Sequence, residues 1–146
     1  GIASDGLGGT DTLSNIEEVV GSAFNDVLTG DTLNNLFVGA AGNDAINGGD
    51  GTDTASYASS TAGVTVNLAT GTASDGFGDT DALSNIENVV GSSFNDTITG
   101  TAAANILSGG AGNDTITGNA GDDTIDGGLG SDRVNYITSP VGATNN

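Results

Sequence analysis

Three aspartates, Asp114, Asp123 and Asp132, recur at a nine-residue interval in the run GGAGNDTIT, GNAGDDTID, GGLGSDRVN, residues 109–135. The chain has no histidine and no cysteine, so any site chemistry falls to carboxylates at this spacing. They can hold a hard cation of the calcium type, which asks for about six to eight oxygens and takes them from carboxylates and backbone carbonyls alike. Zinc chemistry and imidazole acid–base catalysis are excluded by composition, as are thiolate sites and disulfides. Paired carboxylates also hydrolyse glycosides, but here every pair is periodic and belongs to a turn. No nucleophile stands beside a base, and four Phe with two Tyr cannot wall a substrate pocket. The segment reads as non-enzymatic.

The elements that must position these carboxylates follow from the rest of each block. Gly stands first and fourth, Asp sixth, and an aliphatic residue (Ile116, Ile125, Val134) eighth. The Gly/Asp half turns tightly, because Gly accepts positive φ without steric cost. The last three residues alternate polar, apolar, polar, so a short strand puts the middle one inside. Turn plus strand, twice, makes one eighteen-residue coil of a flattened, right-handed parallel β-solenoid; the fold class is all-β. Degenerate blocks begin at residues 21, 30, 39, 48, 91 and 100.

Eighteen-residue coils stack the sixth places of alternate blocks. Asp26 is expected over Asp44 on one edge and Asn35 over Asp53 on the other. Further on, Asp96, Asp114 and Asp132 share one edge, and Asn105 and Asp123 the other. The Gly-rich turns supply the remaining oxygens, so Gly42, Gly49, Gly51, Gly110, Gly112, Gly121, Gly128 and Gly130 join the expected metal site. Asn and Gly are turn formers in their own right, which accounts for any single block. It does not account for Asp at the sixth place in seven of nine blocks, with Asn in the other two. Stacked carboxylates would repel unless a cation lay between them. Phe24, Leu33, Phe94 and Ala103 replace the fourth-place Gly, which makes half-sites of the turns at 21–26 and 91–96 and weakens the Asn35–Asp53 and Asn105–Asp123 pairs.

The pattern G-G-x-G-x-D-x-U-x, met three times in succession at 109–135, resembles the RTX (hemolysin-type) calcium-binding nonapeptide repeat. The resemblance implies a parallel β-roll with Ca2+ between stacked turns, held by the sixth-place Asp and by backbone carbonyls. It also implies type I secretion, with calcium folding the chain as it emerges from the cell.

Composition agrees with a cation-dependent fold. Nineteen acids face a single base, Arg133, for a formal charge of −18. Charge this dense opposes compaction and, with low hydrophobicity, marks a chain that is disordered unless neutralised. Its sign excludes nucleic acid and anionic membrane as direct partners. No apolar run approaches membrane-spanning length.

A longer period is also present: residues 1–30 match 71–100 at 22 of 30 positions, the mark of a tandem array. We therefore expect two modules. The first, 1–70, is truncated, with its roll at about 13–56 and capping strands at 57–70. The second, 71–146, has its roll at about 83–135 and then the start of another cap. The chain begins inside a repeat and reads as a segment of a longer protein. Leu13–Val20 has the spacing of a short amphipathic helix, but Val19 falls at the eighth place of a degenerate block, which favours a strand. Tyr57–Ser59 and Val64–Leu68 read as longer strands that extend or cap the roll, with Tyr57 closing its end. Leu28, Phe37, Ile46, Leu107, Ile116, Ile125 and Val134 form the inner row, with Ala55 a thin spot at the end of the first roll. Asp5, Asp11, Asp75, Asp79 and Asp81 either bind an extra ion or are simply solvated. Rows of Thr at 97–99 and 115–117 suggest a flat ice- or polysaccharide-binding grid, but two ranks are too few, and Thr on a solvated strand face is ordinary.

The resulting expectation is a calcium-binding structural segment, extracellular or at the cell surface, of a large adhesin, S-layer or filament-type protein. Its partners are calcium ions, neighbouring repeats of the chain and further copies of itself. The alternative is the accessory roll of a type I-secreted protease, lipase or epimerase.

Overall fold

The computed structural model describes residues 1–4 and 10–136, and every regular element in them is a strand. Asp5 and the residues from 137 onward, including the expected start of a third copy, lie outside the described residues. In chain order the strands are β1 (Ile2–Ser4), β2 (Asp11–Thr12), β3 (Glu18–Val20), β4 (Val27–Thr29), β5 (Leu36–Val38), β6 (Ala45–Asn47), β7 (Thr54–Ser56) and β8 (Thr65–Asn67). They continue with β9 (Thr72–Ser74), β10 (Thr80–Ser84), β11 (Asn88–Val90), β12 (Thr97–Thr99), β13 (Ile106–Ser108), β14 (Thr115–Thr117), β15 (Thr124–Asp126) and β16 (Arg133–Val134). Most are three residues long because the glycine that opens the next block ends each one in a turn.

Successive strands alternate between two facing sheets. One runs β16-β14-β12-β8-β9-β10-β6-β4-β1-β2, the other β15-β13-β11-β7-β5-β3. Within the roll the pairing is parallel and offset by one coil: Val27 lies beside Ala45, Leu36 beside Thr54, Thr97 beside Thr115. This register brings every eighth-place side chain into the space between the sheets. Leu28, Phe37, Ile46, Leu107 and Ile116 are at most 3% exposed, each burial stabilising the fold by about 1.5–3 kcal/mol. Ile125 is half-buried, and Val134, at the last coil, is 38% exposed. Of Leu13–Val20 only Glu18–Val20 is regular, and it is strand. Asn15, at φ 55°, adopts the left-handed conformation that a helix would not tolerate there.

Residues 57–84 depart from the eighteen-residue coil without interrupting the stack. In the six-stranded sheet β7 pairs directly with β11, placing Val89 beside Ala55. In the other sheet β6 pairs with β10, while β9 runs antiparallel between β10 and β8, and β8 pairs with β12. That sheet thus carries two more strands here than a regular coil supplies. At about 4.8 Å per strand the roll is splayed, and apolar residues fill the widened interior. Tyr57, Val64, Val66, Ala73, Leu83 and Ile86 join the buried cluster.

Two expectations are corrected by this arrangement. Tyr57–Ser59 leads into a turn and forms no strand; a tyrosine following a strand reads as its continuation only until its burial is known. Tyr57 is 5% exposed in mid-stack and does not close an end. Ala55, 1% exposed, is likewise interior.

Candidate metal centre

The sixth-place residues form columns along the two edges of the roll, and the expected pairs are stacked. Each column is tied by a hydrogen bond in which a backbone N–H donates to the Oδ1 atom one coil on. Asp26 donates to Asp44 (2.9 Å), Asn35 to Asp53 (2.7 Å), Asp96 to Asp114 (2.8 Å), Asn105 to Asp123 (3.0 Å) and Asp114 to Asp132 (3.0 Å). A second ladder runs the opposite way through the fifth places: Asn43 N–H donates to Asn25 Oδ1, Asn113 to Asn95, and Ser131 to Asn113. Carboxylate and amide oxygens therefore register the coils as well as line them.

The other oxygen of the sixth-place side chain separates two kinds of turn. In 21–26, 30–35, 91–96 and 100–105 the turn closes on itself. The second-place N–H donates to the sixth-place side chain: Ser22 to Asp26 Oδ2 and Ser92 to Asp96 Oδ2, both 2.6 Å, Asp31 to Asn35 Oδ1 at 3.0 Å, and Thr101 to Asn105 Oδ1 at 2.7 Å. The second-place side chain then accepts the fourth-place N–H of Phe24, Leu33, Phe94 or Ala103. Asn35 and Asn105 also donate through Nδ2 to the carbonyls of Ile16 and Glu87. Both amides are thus spent within the protein, although the sequence puts them among the metal ligands.

In the remaining turns the second and fourth residues take positive φ: Ala40 with Gly42, Gly49 with Gly51, Gly110 with Gly112, Asn119 with Gly121, Gly128 with Gly130. There the N–H groups of Gly49 and Gly128 donate to Asn47 Oδ1 and Asp126 Oδ1 rather than to the carboxylate of their own turn. Asp44, Asp53 and Asp114 are left with an Oδ2 atom that is buried and has no hydrogen-bond partner, while Asp132 is exposed at the last coil. A Cβ on Gly42 would meet the carbonyl of Phe24, one on Gly112 that of Phe94, and one on Gly121 that of Ala103. The open turns of Asp44, Asp53 and Asp114 are therefore cradles, each with a carbonyl of the preceding coil close against it and a bare carboxylate oxygen.

Buried anionic oxygens without partners are costly, and their protonation shows it. Asp44 is pushed up to about 7 and Asp81 to about 6, by burial first and by neighbouring carboxylates in addition, against one backbone N–H at each and the Tyr57 hydroxyl at Asp81. Burial raises Asp53 and Asp114 as well. Among the described residues no three carboxylates converge to hold a metal by themselves, so carbonyls must complete any shell. That donor set, carboxylate and carbonyl oxygen only, fits calcium. Asp44, Asp53, Asp114, Asp123 and Asp132 are the side chains that would hold it, and its charge would offset their repulsion.

These raised values fix a direction for pH. A group that binds its proton more tightly when folded stabilises the fold at low pH, and that stability is lost as pH rises through the folded value. In chelator, strand structure should be present near pH 4 and decline between about pH 4 and 7, each group contributing up to about 1.4 kcal/mol per pH unit. With Asp44→Asn and Asp81→Asn combined the decline should flatten. Circular dichroism at several pH values checks this; strand content rising with pH in chelator would contradict it.

Residues outside the recognisable blocks also serve the columns. Glu87 accepts the Asp53 N–H through Oε2 (2.8 Å), and Asp81 accepts the Asp44 N–H (3.1 Å). Glu87 is legible in retrospect, because Val89 at an eighth place puts Glu87 at the sixth. Asp81 follows a loop one residue too long and carries no such signal.

A search of curated proteins finds no match. The model of the RTX calcium-binding nonapeptide repeat (4 copies) matches residues 18–55, 81–108 and 99–134, more than half of the chain. The matched stretches contain every stacked sixth-place pair and leave out residues 56–80, where the coil is broken. Because the match follows the turns whose bare oxygens call for a hard cation, the chain belongs to the RTX calcium-binding nonapeptide repeat family, whose repeats bind calcium.

Proposed function

We propose that this chain is a calcium-dependent structural segment that stays unfolded where calcium is scarce and folds outside the cell, in a secreted or surface protein of the adhesin, S-layer or filament type. The observation that supports it most is the set of buried, partnerless carboxylate oxygens at Asp44, Asp53 and Asp114. A chain of charge −18 bearing such oxygens has little reason to fold alone and good reason to fold around cations. The role is structural and non-catalytic. The two copies act as tandem units of one roll, since strands β7 and β11, from different copies, pair directly; more copies would lengthen it into a rod.

Ligand that binds only the folded state stabilises it by about 1.4 kcal/mol for each tenfold excess over Kd at each site. Extracellular modules bind calcium at about 10⁻⁴–10⁻³ M. Circular dichroism at neutral pH should therefore show disorder in excess chelator and strand in millimolar calcium, joined by a steep titration. Full strand signal surviving in chelator would overturn the reading. Counting further copies of DTDALSNIENVVGS in the whole gene product separates a rod, which has many, from the accessory roll of an enzyme, which has one or two beside a catalytic domain.

A further inference from the structure

The insertion that splays the roll carries acidic residues that belong to no nonapeptide, and they fall on the same edge as the sixth-place column. β9 ends at Ser74, which pairs with Thr80 on β10 and with Thr65 on β8. Asp81 therefore stands one strand beyond Asp44. Its partner on β9 is Ala73, and Asp75, two residues past Ala73 and opposite Asp79, is the diagonal neighbour of Asp81 on the same inward face. The column runs Asp26, Asp44, Asp81 into the insertion, with Asp75 diagonally beside its end, although residues 75–81 lack the repeat spacing.

Asp75 is 0% exposed. Its Oδ1 accepts three N–H groups of its own loop, from Phe77 (2.9 Å), Gly78 (3.2 Å) and Asp79 (3.1 Å), and the loop is pinned by Ser60 Oγ donating to the Asp75 carbonyl (2.5 Å). Its Oδ2 is buried without a partner, as is Oδ2 of Asp44. A loop cap needs only Oδ1, so capping leaves the second oxygen of Asp75 unexplained. Gly76 and Gly78 take φ of 77° and 112°, the alternation of positive-φ residues found in the open repeat turns. Asp79 Oδ2 accepts the N–H of Gly42 (3.2 Å), which ties the loop to the open turn of Asp44. From inside the roll, Tyr57 Oη donates to Asp81 Oδ2 (3.2 Å). The chain's only base, Arg133, is on β16, five strands along the sheet from β10. Among the described residues no cationic side chain stands beside this group.

We propose that Asp75, with Asp81 and Asp44, forms a binding site for a hard divalent cation of the calcium type where the insertion meets the open turn of Asp44, with two of its three carboxylates outside any nonapeptide. Asp44 and Asp81 serve it as a stacked pair and Asp75 from the diagonal position on β9, with loop carbonyls completing the shell. The hydroxyl of Tyr57 forms its inner wall. This site locks the splayed, irregular coil to the regular one, where the eighteen-residue register supplies no partner. It rests on the reading that the roll folds around calcium.

Tyr57 makes the site separately observable. The chain has two tyrosines and no tryptophan, so tyrosine-sensitised luminescence of terbium(III), a calcium stand-in, reports ions near Tyr57 once Tyr136 is removed. In a Y136F background, folded and titrated with terbium, emission excited through tyrosine should rise to saturation and be displaced by calcium. Y57F/Y136F should lose most of it. D75N/Y136F keeps an oxygen able to cap the loop, so it should fold in calcium yet require at least tenfold more terbium for the same emission. Absence of tyrosine-sensitised emission from folded Y136F protein overturns the site, whatever D75N does. So does a D75N/Y136F titration that overlays the parent, which would leave Asp75 a loop cap only. Failure of the underlying reading looks different: the chain then shows no cation-induced folding, and the repeat turns bind no calcium either.

Discussion

Ile116→Asp should abolish calcium-induced folding of the coils around β12, β14 and β16, whereas Thr115→Asp, one residue away, should fold almost as the parent does. Ile116 is 0% exposed and lies between Ile98 and Val134 in the parallel register of the inner row. Losing its burial costs about 1.5–3 kcal/mol, and an unpaired charge in its place costs several kcal/mol more. Together these rival the entire net stability of about 5–15 kcal/mol for a small domain. Calcium cannot easily restore it, since a tenfold increase returns only about 1.4 kcal/mol per site. Thr115 faces out on the same strand and pairs with Arg133, so an aspartate there gains a cationic neighbour. Surface changes of this kind stay within about 0.5 kcal/mol, and the calcium midpoint should move by about twofold or less. Circular dichroism during calcium titration reads both variants, and equal damage would show the register to be wrong.

That contrast rests on the part of the fold most legible in the chain itself. The nine-residue beat carries its own geometry: Gly where φ must be positive, an aliphatic residue where the strand turns inward, Asp where coils meet. Stacks such as Asp96, Asp114 and Asp132 could be named from spacing alone, because parallel strands offset by a fixed coil leave no freedom in register. Residues 57–84 have no such beat. Whether Thr72–Ser74 becomes an antiparallel strand depends on β8 and β10 lying on either side of it, a long-range condition that three residues cannot encode. Tyr57 reads as a strand residue by propensity and becomes a wedge because the splayed interior needs volume there. The difference between closed and open turns was half visible. Phe24, Leu33, Phe94 and Ala103 announce the loss of the fourth-place Gly. That Ser22, Asp31, Ser92 and Thr101 then turn their N–H groups onto the sixth-place side chain emerges only with the backbone in place. As a result Asn35 and Asn105 are satisfied internally, while Asp53 and Asp123, one coil on, belong to open turns.

Asp114→Ala should remove more bound calcium than Asp132→Ala and should raise the calcium needed for folding by at least the tenfold that corresponds to about 1.4 kcal/mol. Asp114 stands between two layers. Its Oδ1 accepts the N–H of Asp96 above (2.8 Å), its own N–H donates to Asp132 below (3.0 Å), and its Oδ2 is bare. It can therefore serve the cradle of its own turn and the one formed with the next coil. Asp132 is exposed on the last described coil and borders one layer. Truncating Asp114 also strands the buried N–H of Asp96, a loss of about 1–3 kcal/mol. Truncating Asp132 leaves the Asp114 N–H next to the solvent-exposed end of the stack, where water can replace the lost acceptor. The two contributions to the Asp114 effect separate in Asp114→Asn, which retains an acceptor of the same shape and removes the charge. The midpoint shift should then shrink while the loss of bound ions persists. Were each nonapeptide to chelate its own ion as an isolated loop, Asp114→Ala and Asp132→Ala would each release one ion and move the midpoint alike. Calorimetric titration of the three variants beside the parent distinguishes the cases, and equal stoichiometric losses from the two alanine variants would refute the stacked arrangement of sites.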